Sequence, residues 1–343
     1  MPGKKTPEEK SKKNYRDACE RGYCPSLAER ENNRIIELSN RLKSTSDKET
    51  LTNVLEWQNR NIVFWFERYP LSLTIIWSLV LAILATSSLF ILSPSIWFWC
   101  FVVLVSIFVT LSSIAIYMIR SYRKLPLKQV FNIFPCNISI DSILDNKLCV
   151  CRDYAKLTAS LLFNIYPERE IFFVHAPSHV ATAIKVENRF YVLDKYLPVV
   201  TIDKWHNLWH KRRFSTKKVE KVKGTSLETV DLKSILIQTS SLKPDTDRLT
   251  NEMKRRLSIQ SSADNSGKGS WTALYWKNGA VLYEDDEIVN HSLARMLKMM
   301  ITNQMIDMNR ITNLEIEQKK NDLILRVKLP HDCDAVALNP TRL

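Results

Sequence analysis

The chain has 343 residues and a formal net charge of +13, with 49 Lys and Arg against 36 Asp and Glu. This length allows two domains, and the positive charge favours an anionic partner such as lipid. Six glycines and the absence of the GxGxxG and GxxxxGK[ST] patterns argue against glycine-rich phosphate loops. Seven irregularly spaced cysteines do not match a disulfide framework and favour a reducing compartment. No second cysteine pair follows Cys19 and Cys24 at zinc-ligand spacing, so no zinc site is expected.

Residues 1–69 are predicted to form a polar and helical front segment. The first 25 residues are rich in lysine and are expected to begin as disordered chain. Ser26 is positioned to cap a helix that extends to Leu42, and residues 46–49 match a capping box for a second helix. Amphipathic stripes of this kind most often face a protein core, so we expect both helices to pack on the rest of the chain.

The longest apolar stretch of the chain predicts a membrane anchor. No Asp, Glu, Lys or Arg occurs over residues 70–119, a run of 50 residues. That length is too great for one membrane span and suits two. The Ser-Pro-Ser sequence at 93–95 marks a turn, because proline cannot continue a helix. The sequence therefore predicts a transmembrane helical hairpin at 70–120, with spans at 71–92 and 96–119.

Basic residues flank the open end of this predicted hairpin, whereas its turn carries no charge. They are Arg60, Arg68, Arg120, Arg123, Lys124 and Lys128. The positive-inside rule places such an end in the cytoplasm. We therefore expect a two-span protein of the cell membrane that contacts the lipid bilayer through both helices, with both termini and the intervening domain cytoplasmic.

Cys151 begins the segment whose residues most clearly suggest chemistry. Tyr154, Leu157 and Leu161 recur at near-helical spacing, and Pro167 lies just beyond, which predicts a helix over 151–164. Cys151 would lie at the helix N-terminus, where the partial positive charge stabilises a thiolate. A thiolate is the nucleophilic form of cysteine, so this position favours a reactive thiol.

Three predicted strands follow at 171–174, 179–186 and 190–194. His179 begins the second strand and Asp194 ends the third. An antiparallel hairpin would pair these two positions, which makes a base and the group that orients it neighbours. A nucleophile, a base and an orienting carboxylate are the parts of a thiol acyl-transfer site.

Other residues of the same types offer alternatives. Cys149 could replace Cys151 as the nucleophile, but it precedes the predicted helix. His175 could replace His179, but Pro177 separates it from the second strand. Asp153 fits a first-turn helix residue better than a catalytic acid.

The Cys151-Arg-Asp-Tyr-Ala helix, the His that starts a strand and the Asp that ends the next strand resemble the transglutaminase-like domain family. This family belongs to the papain-like thiol enzyme group, and the resemblance covers roughly residues 127–204. It implies an α+β fold with a papain-like core, in which Cys151 is the nucleophile, His179 the base and Asp194 the orienting group. By analogy, the backbone N–H of Cys151 would be one oxyanion donor.

Three positions depart from the common pattern of the family. Cys149 stands where Gly is frequent, Val180 and Ala181 where Trp is common, and Lys195 where Pro often follows the Asp. These departures affect the substrate class more than the chemistry.

The resemblance implies an enzyme that acts on amide bonds of a protein or peptide through a thioester and requires no metal or cofactor. Hydrolysis is favoured over crosslinking because water is always available. The alternative is a non-catalytic membrane scaffold or binding protein that keeps the fold. The fold class predicted for the chain is thus a transglutaminase-like α+β core at 121–225, attached to the transmembrane hairpin.

A basic segment follows the predicted strands. Residues 204–223 contain eight Lys or Arg and one acidic residue, Glu220. One face of a predicted helix in this segment is apolar, with Trp205, Leu208 and Trp209. Contact with anionic lipid and a solvated charged face explain this segment equally well. No zinc-finger or RNA-binding signature occurs, so nucleic acid is not expected.

The C-terminal part is predicted as a linker over 226–270 and a small α+β unit over 271–343. Within the unit, an Asn-Gly turn predicts a hairpin of strands 271–276 and 280–283. A helix is predicted over 287–308. Two further strands are predicted on either side of a polar turn at 319–322.

Overall fold

A computed structural model describes residues 6–64, isolated positions between 82 and 113, and residues 137–195, 198–211, 218–236, 245–256, 270–276, 279–304, 306 and 310–329. The helices are α1 (Pro7–Glu20), α2 (Leu27–Arg30), α3 (Asn33–Leu42), α4 (Asp47–Asn61), α5 (Ile140–Asn146), α6 (Cys151–Ile165), α7 (Ile202–Lys211), α8 (Thr246–Arg256) and α9 (Glu287–Asn303). The strands are β1 (Val63–Phe64), β2 (Leu148–Cys149), β3 (Ile171–Ala176), β4 (His179–Val186), β5 (Arg189–Leu193), β6 (Val200–Thr201), β7 (Lys218–Lys223), β8 (Ser226–Val230), β9 (Ser270–Trp276), β10 (Asn313–Lys319) and β11 (Asp322–Leu329).

A six-stranded antiparallel sheet forms the centre of the fold, with strand order β6-β5-β4-β3-β7-β8. Both faces of its middle strands are buried, which is why β3 is apolar at nearly every position. Ile171 and Phe173 pack toward the helices, whereas Phe172 and Val174 belong to a second core on the opposite face. The sheet thus separates a large helical layer from a smaller layer that includes α7.

Helix α6 is the central helix of the large layer, and it is buried around most of its circumference. It packs on β4, where Thr182 donates to the carbonyl of Ala155 at 2.8 Å, and it is covered by α3 and α4. Gln58 of α4 donates to the hydroxyl of Thr158 at 2.9 Å inside this interface. The predicted front-segment helices therefore pack on the core, as expected from their apolar stripes.

The front segment is more ordered than the sequence suggested. Residues 7–20 form α1, which begins at a capping box between Thr6 and Glu9. Ser26 forms a similar box with Glu29, but the helix predicted to follow it as one unit is divided into α2 and α3. Favourable capping of Pro7–Glu20 accounts for a helix where a Lys-rich composition favoured disorder.

A second, three-stranded sheet lies in the C-terminal unit, with strand order β10-β11-β9. The turn between β10 and β11 occurs as predicted, with Lys319 paired to Asp322. The hairpin predicted across Asn278 and Gly279 is wrong, because residues Gly279–Leu282 form a 3₁₀ helix. Strand β9 pairs with β11 instead, which brings Trp276 opposite Leu323 and buries the alternating apolar side chains of both strands.

The C-terminal unit is joined to the central sheet by polar contacts. Asp286 caps α9 and also accepts hydrogen bonds from Arg189 at 2.6 Å and from the Tyr191 hydroxyl at 2.8 Å. Within the stretch predicted as a linker, β8 extends the central sheet beyond residue 225, and α8 packs on β10.

The predicted transmembrane hairpin and the cell-membrane localisation inferred from it are contradicted. Within the described residues, no helix has both the length and the apolar character needed to cross a bilayer. A span needs about 20 apolar residues. The longest described helix, α9, has 17 residues and carries charged side chains. Most of 71–92 and 96–119 lies outside the described residues. The fold class is therefore corrected to a mixed α/β architecture.

Candidate active site

Cys151 is the first residue of α6, in the position predicted from the sequence. The preceding residue, Val150, has an extended backbone, and its N–H donates to the Asp153 carboxylate at 3.0 Å. This contact secures the first turn of the helix and fixes the thiol at its positive end. The side chain of Cys151 is nearly buried, with 7% of the residue exposed.

His179 and Asp194 are in direct contact. The Nε2 atom of His179 lies 2.9 Å from Oδ1 and 2.8 Å from Oδ2 of Asp194. The Cys151 side chain lies close enough to His179 to raise the pKa of the imidazole. Because Nε2 faces the carboxylate, Nδ1 is the ring nitrogen left to face the thiol. The three residues named from the sequence are thus brought together in the order thiol, imidazole, carboxylate.

The register of the hairpin differs slightly from the prediction. Strand β5 ends at Leu193, which pairs with Thr182, so Asp194 lies one residue beyond the ladder. His179 and Asp194 are therefore diagonal neighbours on one face of the sheet and do not form a direct cross-strand pair. A diagonal separation is still within reach of an imidazole and a carboxylate.

Trp205 of α7 is a site residue whose role was not predicted. Its indole N–H donates to Oδ2 of Asp194 at 3.0 Å, and its ring stacks on His179. The backbone N–H of Lys195 donates to Oδ1 of Asp194 at 2.7 Å. The carboxylate is therefore held by three different donors. The sequence signal was the apolar face of the helix that follows Asp194, for which lipid contact and a solvated charged face were equally good explanations.

The electrostatics of the pair favour an imidazolium beside a carboxylate. Burial lowers the pKa of His179, but the Asp194 charge, its hydrogen bond and the contact with Cys151 raise this pKa to about 9. Burial opposes ionisation of Asp194, yet His179 and the donors from Trp205 and Lys195 lower the pKa of Asp194 below its ordinary value. At neutral pH His179 is therefore protonated and Asp194 is ionised.

The turn between β3 and β4 supplies another contact to the thiol. The Cys151 sulfur lies 3.8 Å from the carbonyl oxygen of Ser178, to which the thiol donates. Ser178 has a φ of 59°, in the left-handed region that is costly for most residues. This turn ends directly at His179, so it positions both the histidine and a contact of the thiol.

The alternative residues have other surroundings. Cys149 is fully buried in β2, opposite Phe64. The Nε2 atom of His175 lies 2.7 Å from a Glu220 oxygen, and Tyr23 packs against its ring. Asp153 contacts the Val150 N–H as a first-turn helix residue.

Several lysines of the basic segment contact protein groups. Lys204 donates to the carbonyl of Tyr283 at 2.9 Å, Lys218 pairs with Glu220, and Lys221 pairs with Glu170. Residues 212–217 lie outside the described residues. Contact of this segment with anionic lipid stays a prediction.

This arrangement has the parts needed for proton transfer and nucleophilic attack at one place. A cysteine at a helix N-terminus lies beside an imidazole, and a partly buried, hydrogen-bonded carboxylate fixes the orientation of that imidazole. The imidazole can act as the base that deprotonates the thiol and then as the acid that protonates a leaving group.

Comparisons with known proteins show the family to which the chain belongs. UPF0252 protein MJECL39 of Methanocaldococcus jannaschii is 25% identical to this chain over 319 residues, in an alignment that covers 81% of this chain and 87% of the relative. No solved structure matches the chain. A family model described as a transglutaminase-like domain matches residues 33–223, more than half of the chain, and includes Cys151, His179 and Asp194. The chain therefore belongs to the transglutaminase-like domain family.

Proposed function

We propose that this protein is a cysteine enzyme that acts on amide bonds of a protein or peptide through a thioester intermediate. The observation that carries the proposal is the chain of contacts from Cys151 through His179 to Asp194. A lone cysteine or histidine is most often structural, but this set has a shared geometry that a structural role does not require. Membership of the transglutaminase-like family supports the same chemistry.

The reaction begins with attack of the Cys151 thiolate on the carbonyl carbon of the amide. The proton of the thiol is held by His179, and the charge on the carbonyl oxygen in the tetrahedral intermediate is stabilised by backbone N–H groups at the start of α6. The C–N bond then breaks, and His179 gives its proton to the leaving amine. A thioester on Cys151 remains.

A second nucleophile then resolves the thioester. Water attacks the thioester carbonyl while His179 accepts a proton from it, the C–S bond breaks, and the thiol is regenerated. An amine in place of water would give a new amide. We favour water, which makes the enzyme a peptidase or deamidase, because water is present at every stage.

Asp194 and Trp205 act on this reaction through His179. The carboxylate fixes the ring so that Nδ1 faces the thiol, and it stabilises the imidazolium. Trp205 donates a hydrogen bond to the carboxylate and stacks on the ring of His179. Both effects require only residues of this chain and no additional group.

Labelling with iodoacetamide tests the nucleophile. We expect fast labelling of Cys151 at pH 7 in the full-length protein, loss of this label in Cys151→Ala, and slower labelling in His179→Ala. Cys149→Ala is the matched control and should label as the wild type does. Labelling that is equally fast in His179→Ala would contradict the proposed pairing.

Incubation with a peptide mixture in ¹⁸O-labelled water tests the reaction. Hydrolysis or deamidation through Cys151 introduces one ¹⁸O atom into the product acid, whereas transfer to an added primary amine introduces the mass of that amine. Both products should be absent with Cys151→Ala. Formation of either product by that variant would contradict the proposal.

A further inference from the structure

Two cysteines outside the candidate active site lie close to one another. Cys19 is in the last turn of α1, and Cys24 is in the segment that connects α1 to α2. The chain reverses between them at Gly22, which has a φ of 80°. The N–H of Gly22 bonds to the carbonyl of Cys19 at 3.0 Å, and the N–H of Cys24 approaches the carbonyl of Ala18 at 3.4 Å. This turn brings the two side chains to the same side.

The two thiols lie near enough for each to change the pKa of the other, and the Cys24 thiol donates to the carbonyl oxygen of Pro25 at 3.8 Å. Both are free cysteines, and they differ in exposure: Cys19 is partly exposed, whereas Cys24 is fully buried. A disulfide requires sulfur atoms that can approach within bonding distance without movement of the backbone. The turn places the backbone of Cys24 against that of Ala18, directly before Cys19, and so holds the two cysteines close together.

The surroundings give the two thiols different reactivity. The hydrogen bond from Cys24 lowers the pKa of Cys19 to about 7, and the Arg30 guanidinium acts in the same direction. Burial raises the pKa of Cys24. An accessible thiol of low pKa beside a buried one is the arrangement of an attacking and a resolving cysteine.

We propose that Cys19 and Cys24 are a reversible redox site that forms a disulfide with a low-molecular-weight disulfide as oxidant. Cys19 is the attacking thiol and Cys24 the resolving thiol. This site is separate from Cys151 and does not depend on the reaction proposed for it.

The exchange has two steps. The Cys19 thiolate attacks one sulfur of oxidised glutathione, whose S–S bond breaks, and one glutathione leaves as a thiolate that takes a proton from water. The Cys24 thiol then attacks the Cys19 sulfur of the mixed disulfide, whose S–S bond to glutathione breaks. The second glutathione leaves with the proton of Cys24. The protein loses two hydrogen atoms, and one oxidised glutathione becomes two reduced ones.

The disulfide would tie the end of α1 to the residues before α2. This region contacts the central helix, since the carbonyl of Cys19 accepts a hydrogen bond from Asn137 at 2.9 Å, and Asn137 accepts one from Lys156 of α6 at 2.6 Å. The redox state of the pair therefore acts on a segment that touches the helix on which Cys151 lies.

Peptide mapping of the full-length protein after treatment with oxidised glutathione tests the proposal. Trypsin cleaves after Arg21, between the two cysteines, so the disulfide appears as two linked tryptic peptides. We expect this linked pair in the wild type and equally in Cys151→Ala, and its loss on reduction. The proposal would be overturned if the glutathione adduct on Cys19 persisted in the wild type without formation of the disulfide. It would also be overturned if both cysteines stayed unmodified in the folded protein.

Single variants test the two roles. With Cys24→Ala, the adduct of glutathione on Cys19 should accumulate, because no resolving thiol is present. With Cys19→Ala, Cys24 should stay unmodified. The rate of Cys19 alkylation in the wild type should rise with a midpoint near pH 7, and the midpoint should shift upward in Cys24→Ala. Modification of Cys24 in the absence of Cys19 would reverse the assigned roles and refute the proposal.

Discussion

Trp205 donates its indole N–H to Oδ2 of Asp194 at 3.0 Å, while its ring lies 6.1 Å from that of His179 at an interplanar angle of 24°. Only 2% of Trp205 is exposed, so the hydrogen bond is shielded from water. The indole nitrogen is a donor only, which means that this contact favours the ionised carboxylate. Trp205 therefore helps to fix the group that orients His179.

Replacement of Trp205 by phenylalanine should weaken the site without removal of the aromatic ring. The variant loses a hydrogen bond to a charged group, worth about 1.5 kcal/mol. If the whole of this free energy serves to orient His179 toward the thiol, the rate of Cys151 alkylation by iodoacetamide at pH 7 should fall about tenfold. The rate can be followed by mass spectrometry of the Cys151 peptide.

Trp271→Phe is the matched control, since Trp271 is 44% exposed on the C-terminal sheet. It should leave the alkylation rate unchanged. An equal rate in Trp205→Phe and the wild type, with both proteins folded, would show that the indole N–H has no part in the orientation of His179.

The contact between His179 and Asp194 should make stability depend on pH. The pKa of His179 rises from 6.5 to about 9 on folding, whereas that of Asp194 is lowered, so the carboxylate is ionised throughout this range. A raised pKa contributes stability that is fully present below about pH 6.5 and is lost as the pH rises through about 9. The loss should amount to about 3 kcal/mol.

His179→Gln isolates this contribution, because it removes the titrating group and leaves all other groups in place. Urea unfolding of both proteins between pH 6 and pH 10 gives the difference in free energy of unfolding. The advantage of the wild type should shrink as the pH rises. A difference that stays constant over this range would refute the assignment.

The parts of the site that local patterns define could be predicted from the sequence. Helix α6 follows from the spacing of Tyr154, Leu157 and Leu161, and strand β4 follows from an apolar run bounded by turns. These features depend on neighbours within a few residues. They were sufficient to name Cys151 and His179 before any tertiary contact was known.

The parts that depend on tertiary partners could not be predicted. A helical face with tryptophans and nearby lysines has the same sequence pattern whether it contacts lipid or a carboxylate of the same chain, so the contact of Trp205 with Asp194 could not be predicted. The Asn-Gly turn at 278–279 favoured a local hairpin, but the longer alternating strand Asp322–Leu329 offers β9 a better apolar partner. Local propensity yields to such pairing when both strands gain a buried face.

Added backbone strain at Ser178, the left-handed residue of the β3–β4 turn, should lower the reactivity of the Cys151 thiol. Ser178→Val places a β-branched side chain at a φ of 59°, which should cost about 1–2 kcal/mol of stability. Because the carbonyl of Ser178 contacts Cys151 and the next residue is His179, the alkylation rate of Cys151 should also fall severalfold. Ser178→Gly should keep the turn and the wild-type rate.

Glu187→Val provides the comparison, since Glu187 has a φ of 52° in the turn between β4 and β5. Its stability should fall by a similar amount, with no change in the alkylation rate. If both valine variants slow alkylation equally, the effect comes from general destabilisation and the Ser178 contact has no specific role.

A buried ion pair should join the front segment to the central helix. Lys156 of α6 has 1% of its side chain exposed and lies 2.8 Å from the Glu29 carboxylate, with further acceptors at Asn137 and the carbonyl of Ile138. Loss of one partner leaves a buried charge uncompensated, so Glu29→Gln should cost about 3 kcal/mol. Glutamine keeps an acceptor oxygen for the Ser26 cap, but its NH₂ group then faces the Lys156 ammonium, so the charge and one acceptor are lost together.

In a Lys156→Met background the same Glu29→Gln change should cost less than about 1 kcal/mol, because the buried ammonium is absent. Urea unfolding of the four proteins gives a coupling energy of about 2 kcal/mol or more if the pair is as buried as its geometry indicates. Equal costs in both backgrounds would mean that Glu29 stabilises α2 through its cap alone. The front segment would then be held on α6 by apolar packing, and the ion pair would contribute nothing to that contact.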